Sequence, residues 1–184
     1  LIFAVATLLT AVLFSFAILS PHPVRGFELL CLDVGQGDGF LLRSGTTNIL
    51  IDSGSSDRKK LGSRTLEPCL KSKGISRLDI AIVSHGDSDH ISGLLYLLEQ
   101  KMPIELLMLP AGGKGGEIYG QLEQLQTEAG GKTYFMHQGD KIKAGEMEFT
   151  CIFEKETEEE RNAHSLVLCS HYEDLHILFT GDMG

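Results

Sequence analysis

The sequence predicts an α/β domain built from layered, mixed β-sheets and preceded by one apolar helix. Residues 1–20 contain no charged side chain. Between residues 27 and 136, short apolar runs typical of strands alternate with longer amphipathic runs typical of helices. The last third of the chain holds strand-like runs with no helix between them. This mixture favours mixed sheets over a doubly wound parallel sheet.

Residues 1–20 are predicted to form a transmembrane helix. Twenty helical residues rise about 30 Å, which is the thickness of the hydrocarbon core of a bilayer. A secretory signal peptide is the alternative, but the run lacks an initiating Met, a preceding basic segment and a clean small-x-small cleavage site. The chain begins at Leu1 and is expected to be a piece of a longer protein. Residues 21–26 are predicted to be a stiff linker, and residues 27–184 the folded domain.

The first half of the domain is predicted to contain three strands and one basic helix. FELLCLDV at 27–34 alternates as a strand does and ends at a glycine-rich turn. FLLRSGTTNILIDSG at 40–54 predicts two strands joined by a turn at residues 44–46. A helix over about 62–73 is expected to end at Gly74, because glycine is the usual residue just beyond a helix C-terminus.

Strands and helices continue to alternate in the second half. LDIAIVS at 78–84 is a continuous apolar run, as expected of a strand buried on both faces. HISGLLYLLEQK then predicts a helix. The remaining predicted elements are a strand at 104–110, a helix at 117–130, a strand at 132–136, and strands at 146–153, 165–171 and 175–180.

The composition limits the functions open to the chain. The formal net charge is −9, from 16 basic and 25 acidic residues, which argues against general adhesion to nucleic acid or anionic lipid. One segment runs against this balance, because residues 58–77 hold seven Lys or Arg and only Glu67 as an acid. The favoured interpretation is an amphipathic helix with a solvated face, and the alternative is a phosphate-facing patch. The four cysteines are widely spaced, which indicates neither a zinc ribbon nor a dense disulfide framework, although one disulfide remains open.

Four costly side chains are crowded into the loop that joins the strand at 78–84 to the next helix. They are His85, Asp87, Asp89 and His90. Without a cation the two carboxylates would repel each other, and a pair of divalent ions removes that conflict. The alternative is that the aspartates cap the helix and the histidines are surface polar residues. The density of ligand-type side chains favours a metal site.

Two further aspartates end apolar strands. Asp52 follows NILI and Asp182 follows LHILFTG, and each adjoins or nearly adjoins glycine. Both are expected at the C-terminal edge of a sheet, where ligands gather in α/β folds.

These segments resemble known motifs. SHGDSDHISG is similar to the histidine signature of the metallo-β-lactamase fold, with ILIDSG and LFTGD at its first and fourth conserved positions. LDVGQGDGFLL, LEPCLKSKGISRLDIAIVSHGDSDHISGL and SLVL resemble more narrowly the C-terminal hydrolase domain of the ComEC family of competence DNA-uptake channels. The resemblance covers residues 27–184 and implies an αββα sandwich, incomplete at its C-terminus. The apolar helix would match the membrane span that precedes this domain.

The resemblance also implies roles for individual residues. His85 and Asp87 would bind one metal, and Asp89 and His90 the second. Asp182 would bridge the two ions, which are expected to be zinc or manganese. Because Asp87 replaces a histidine of the signature, the preference shifts from zinc alone toward manganese or magnesium.

Two aspartates are predicted to be catalytic. Asp89 would pass a proton to the leaving oxygen, and Asp52 would orient the histidine loop. His164 is a further candidate ligand, with a surface histidine as the alternative. Asp38 lies within a motif shared with the family, but the sequence assigns it no role.

The predicted function is therefore metal-dependent phosphodiester hydrolysis by a nuclease domain that degrades the non-imported DNA strand during competence. The implied cofactors are two divalent metal ions. The implied partners are DNA, the membrane, other spans of the same channel and other competence proteins, and the implied location is the outer face of the cell membrane. The alternatives are a membrane-anchored or secreted hydrolase of another ester, and a non-catalytic domain of the channel.

Overall fold

The computed structural model describes residues 2–19, 22–154 and 165–182. Within them, ten strands form two sheets, which confirms the predicted α/β domain with mixed sheets. The first sheet has six strands in the order β1 to β6: Val24–Cys31, Gly39–Gly45, Thr47–Ser53, Leu78–Ile82, Ile104–Pro110 and Lys132–Met136. The second has four strands in the order β10, β9, β8, β7; in chain order β7 to β10 are Lys141–Ala144, Met147–Glu154, Leu166–Tyr172 and Leu175–Phe179.

Four α-helices accompany these strands in the described residues. They are α1 (Ile2–Leu19), α2 (Glu67–Ser72), α3 (Ser88–Glu99) and α4 (Glu117–Glu128). Strands β1 to β3 are antiparallel hairpin neighbours, whereas β3 to β6 run parallel because α2, α3 and α4 lie on the crossover connections between them.

Two apolar cores hold the layers together. One lies between the six-stranded sheet and the helices and contains the buried faces of α3 and α4, including Leu94, Leu97 and Leu122. The other lies between the two sheets and is centred on Phe149, which is fully buried. The central strand β4 contributes to both cores, which accounts for its continuous apolar sequence.

Most element boundaries match the sequence predictions, with three differences. Strand β1 begins at Val24, within the predicted linker. The basic helix begins with one π-helical turn at Gly62–Leu66 and becomes α-helical only from Glu67. Strand β7 was not predicted, because four residues with alternating lysines give too short an apolar pattern.

The apolar N-terminal segment forms α1. Eighteen helical residues rise about 27 Å. None of the helices in the described part of the chain is long and apolar enough to cross a membrane. The transmembrane span predicted for residues 1–20 is therefore not supported by the structure.

Candidate metal centre

The centre forms where the C-terminal ends of two parallel strands lie side by side. Strands β3 and β4 pair in register, with Ile51 opposite Ile82. Asp52 near the end of β3 and Ser84 just after β4 are therefore neighbours, although 32 residues separate them in sequence. Asp52 is buried and has a backbone φ of +48°, a left-handed conformation that aspartate and asparagine tolerate better than most residues.

The Asp52 carboxylate binds β3 to the loop that carries His85 and His90. It accepts hydrogen bonds from the Ser84 backbone N–H at 2.8 Å and from the Ser84 hydroxyl at 2.6 Å. It also lies 3.1 Å from Nδ1 of His90, which is buried. Because an ionised carboxylate only accepts hydrogen bonds, His90 carries a hydrogen on Nδ1. In the neutral imidazole, Nε2 then keeps its lone pair free for a metal ion.

Ser84 determines which ring nitrogen of His85 carries the hydrogen. The single hydroxyl hydrogen of Ser84 is donated to Asp52, so its oxygen is left to accept from Nδ1 of His85, 3.1 Å away. The lone pair of neutral His85 is then also on Nε2. That atom is buried and has no hydrogen-bond partner among the described residues. Sequence reasoning assigned no role to Ser84, because nothing in the local pattern shows that β3 and β4 are neighbours.

Asp182 approaches both histidines from the second sheet. Its Oδ2 lies 3.8 Å from Nε2 of His85, and its Oδ1 lies 3.4 Å from Nε2 of His90. Gly181 makes this approach possible. Its φ is +51°, and a Cβ there would lie 2.5 Å from Oγ of Ser165 and 3.2 Å from Cβ of Ser84. The chain after β10 thus packs directly on the end of β4.

The structure places the other two predicted ligands at the same loop. The carboxylate of Asp87 lies 3.9 Å from Nε2 of His85, and Asp87 precedes the first residue of α3. Asp89 lies in the first turn of α3, where the helix dipole stabilises a carboxylate. Two groups of described donors converge to within 4.8 Å: His85, His90 and Asp182, and Asp38, Asp52 and His90. Neither group includes Asp87 or Asp89.

Asp38 is a site residue that the sequence left without a role. Its carboxylate lies 4.0 Å from Nδ1 of His90, on the side of Asp52. Its backbone N–H donates to the carbonyl of Asp89 at 3.1 Å, and its carbonyl accepts from Gly54 N–H. Gly37 and Gly54 both pack against the Asp89 backbone with no room for a Cβ. The glycines around Asp38 were the available signal, because they allow this close backbone packing.

The surroundings shift the pKa values of the two histidines in opposite directions. Burial, together with the neighbouring His90, lowers the pKa of His85 despite the nearby carboxylates. Burial also acts to lower the pKa of His90, but the hydrogen bond and charge of Asp52, followed by Asp182 and Asp38, outweigh it and raise the pKa. Burial is the main reason that the pKa of Asp38 is raised. His85 is therefore held neutral, the form that binds metal.

The donor set fits a divalent metal. Within the described part of the chain, the buried His85 Nε2 has no hydrogen-bond partner, a state that costs free energy unless a ligand satisfies it. The two imidazole Nε2 atoms face different oxygens of one carboxylate, and imidazole with carboxylate suits zinc, iron and manganese. A cavity of about 750 Å³ is lined by Asp87, Asp89 and Tyr119, among others. Burial raises the pKa of Tyr119 to about 12, so its phenol is uncharged.

Two further sequence predictions concern His164 and the cysteines. His164 lies outside the described residues. All four cysteines lie in the described residues and none is bonded to another, so the disulfide left open by the sequence is not formed in this structure.

Comparison with protein families agrees with this geometry. Residues 32–184 match the family described as the metallo-beta-lactamase superfamily. The chain is 29% identical over 171 residues to ComE operon protein 3 of Bacillus subtilis (strain 168), covering 85% of this chain and 22% of that protein. It is 38% identical over 61 residues to competence protein ComA of Neisseria gonorrhoeae, covering 33% of this chain and 8% of that protein. The chain thus spans less than a quarter of either relative.

Solved structures show the same fold at low identity. The metallo-beta-lactamase fold protein YhfI from Bacillus subtilis superposes with a TM-score of 0.61 at 17% identity, covering 85% of this chain and 62% of that one. CmlA, a diiron beta-hydroxylase from Streptomyces venezuelae, gives a TM-score of 0.55 at 15% identity, covering 86% and 30%. At identities of 17% and 15%, the likeness shows the fold alone.

Proposed function

This chain belongs to the metallo-β-lactamase superfamily, and from that premise we propose that its metal centre hydrolyses the phosphodiester bonds of DNA. The superfamily supports a metal-dependent hydrolase, and the similarity to two competence proteins supports DNA as the substrate. We further propose that the hydrolase serves DNA uptake at the outer face of the cell membrane, where it degrades the strand that is not imported.

One observation carries the proposal of a metal-dependent hydrolase. Nε2 of His85 and Nε2 of His90 face the two oxygens of Asp182, an arrangement suited to two cations that share one carboxylate. Asp87 would complete the His85 side, and Asp89 the His90 side. When bound, two divalent ions supply an activated water at neutral pH and offset the charge of the phosphate and the leaving oxygen.

The protein's own residues would prepare the site for this chemistry. Asp52 and Ser84 hold both imidazoles with Nε2 lone pairs directed toward Asp182. Asp89, in the first turn of α3, would return a proton to the leaving alkoxide. The cavity lined by Asp87 and Asp89 would admit the scissile phosphate beside these two carboxylates. No serine or cysteine nucleophile is required.

The test compares substrates and one ligand variant. We expect the protein loaded with Zn²⁺ or Mn²⁺ to cleave a labelled DNA strand and bis(4-nitrophenyl) phosphate, and not the β-lactam nitrocefin. Asp182→Asn should lower DNA cleavage at least about 100-fold, because loss of a ligand costs at least as much as loss of an outer-shell partner. Asp174→Asn is the matched control, since Asp174 is exposed in the turn between β9 and β10.

Three outcomes would count against the proposal. Cleavage of nitrocefin or a carboxylic ester without cleavage of either phosphodiester would move the substrate to another ester. Equal DNA cleavage by the Asp182→Asn variant and the unsubstituted protein would show that the metal centre takes no part in the reaction. Failure to cleave any substrate with any divalent ion would leave the non-catalytic alternative.

A further inference from the structure

The basic segment at 58–77 separates into paired and unpaired cations. Four of its seven basic residues form ion pairs: Arg58 with Asp33, Lys71 with Glu67, Lys73 with Glu28, and Arg77 with Asp79. The other three, Lys59, Lys60 and Arg64, are exposed and have no ion-pair partner in the described part of the chain. We call these three residues the cationic cluster.

The cationic cluster is held rigidly against α3. Leu61 and Leu66 flank it with their side chains in the core. The Gly62 backbone packs so closely on Tyr96 of α3 that a Cβ at Gly62 would come within 2.4 Å of the Tyr96 Cβ and Cγ atoms. The segment also contains the π-helical turn at Gly62–Leu66, a feature frequent at functional sites. Packing therefore fixes the backbone and leaves the three cations facing solvent.

The cluster and the metal centre share one helix. Lys59 and Lys60 line a hollow of about 310 Å³ together with Ser55, Ser92 and Tyr96. Ser92 and Tyr96 follow His90 on α3 by two and six residues, which is about 3 Å and 9 Å along the helix axis.

Two links strengthen this connection. The Ser55 N–H donates to Oγ of Ser92 at 3.0 Å, which ties the hollow to the second turn of α3. Lys59, Lys60 and Arg64 also line a second hollow of about 460 Å³. The cations thus lie in concave surface beside α3, the helix that also carries the predicted ligands Asp89 and His90.

We propose that Lys59, Lys60 and Arg64 bind backbone phosphates of the DNA strand that is cut at the metal centre. This inference rests on the proposed function. With a net charge of −9, the protein repels DNA at long range, and a local group of unpaired cations supplies the attraction needed at the site. The concave lining favours a strand over a flat lipid surface.

The salt dependence of DNA binding tests the cluster. Binding of a labelled single strand would be measured between 50 and 200 mM salt in an Asp182→Asn background, which prevents cleavage. Loss of three phosphate contacts should reduce the slope of log K against log salt by about 2 and weaken binding roughly tenfold at low salt. The test variant is Lys59→Gln/Lys60→Gln/Arg64→Gln.

The matched control is Lys101→Gln/Lys132→Gln/Lys143→Gln. Lys101 lies three residues before β5 and Lys132 is the first residue of β6, both at the end of the sheet opposite the centre, and Lys143 lies on β7. All three are exposed, as the residues of the cationic cluster are. Because each triple variant replaces three cations by glutamine, the control makes the same change in net charge. We expect its salt slope to remain within about 0.5 of the unsubstituted value. Thermal unfolding of both triple variants would confirm that they fold.

Two further measurements separate this inference from the proposed function. With Asp182 intact, the cluster variant should lose at least about fivefold more activity on the DNA strand than on bis(4-nitrophenyl) phosphate. Equal salt slopes for the cluster and control variants would overturn the cluster's role even if both substrates are hydrolysed. Loss of binding to phosphatidylserine vesicles with unchanged DNA binding would overturn it in favour of a lipid surface. If the unsubstituted protein hydrolyses neither substrate, the proposed function fails, and the salt slope still decides whether the cluster binds DNA.

Discussion

The substitution Asp52→Asn probes how the two histidines are prepared for metal. Asparagine keeps the shape of the side chain and tolerates the φ of +48°, so the backbone is not strained. Its amide NH₂ would instead donate to Nδ1 of His90, which moves the imidazole hydrogen to Nε2. The lone pair that faces Asp182 would then be lost, and the hydrogen-bond direction through Ser84 would no longer specify the tautomer of His85.

The magnitude follows from these contacts. Outer-shell partners of metal-binding histidines typically contribute 10- to 100-fold in metal affinity, which is about 1.4 to 2.7 kcal/mol. In the metal-free protein, Asp52→Asn also weakens charge-assisted hydrogen bonds from Ser84 and His90. We expect the free energy of unfolding to fall by roughly 1.5 to 3 kcal/mol.

Calorimetric titration with Zn²⁺ and Mn²⁺, combined with urea unfolding after chelation, measures both effects. Asp79→Asn is the control, because Asp79 accepts a backbone hydrogen bond from Asn48 at the opposite end of the same pair of strands. The control should lose stability and keep its metal affinity. Unchanged metal affinity in Asp52→Asn, with the same stability loss, would refute the idea that Asp52 controls the histidine tautomers.

Two further predictions concern Gly181 and Glu28. Gly181→Ala should destabilise the protein by about 1–2 kcal/mol, because alanine is strained at the positive φ, and it should also weaken metal binding by displacing Asp182. Gly45→Ala is the control, because Gly45 has a φ of +57° and open space around it. Thermal unfolding should show destabilisation of both variants, and metal titration should show weaker binding only for Gly181→Ala. The hydrogen bond from Lys73, assisted by Arg43, lowers the pKa of Glu28, so its contribution to stability is present above the ordinary glutamate pKa and is lost as pH falls through the lowered value. Unfolding of the unsubstituted protein and Glu28→Gln should therefore differ by no more than about 1 kcal/mol at neutral pH and converge in acid, and a constant difference across pH would contradict the assignment.

The sequence predicted the elements with strong local patterns. Strands β5 and β6 match their predicted ranges, and the turn between β9 and β10 lies between the strands predicted at 165–171 and 175–180. These segments carry their signal in consecutive residues. Strand β7 does not, because its only support is pairing with β8.

The sequence predicted which side chains gather at this place but not the hydrogen-bond network that holds them. His85 and His90 were singled out because ligand-type side chains are crowded after one apolar strand, and Asp182 because it ends another. The role of Ser84 depends on the parallel register of β3 with β4, and that of Asp38 on packing against the Asp89 backbone. Both arise from contacts between residues far apart in sequence. The local pattern of a serine or a glycine-flanked aspartate does not encode them.

The central claim is that the two histidines and Asp182 form a metal centre, and metal content tests it most directly. Elemental analysis of the purified protein after exposure to Zn²⁺ or Mn²⁺ should find about two ions per chain, and binding should raise the unfolding temperature. His85→Ala should lose ions and the thermal shift together. A folded protein that retains no divalent ion, and whose unfolding temperature is the same with and without metal, would contradict the account.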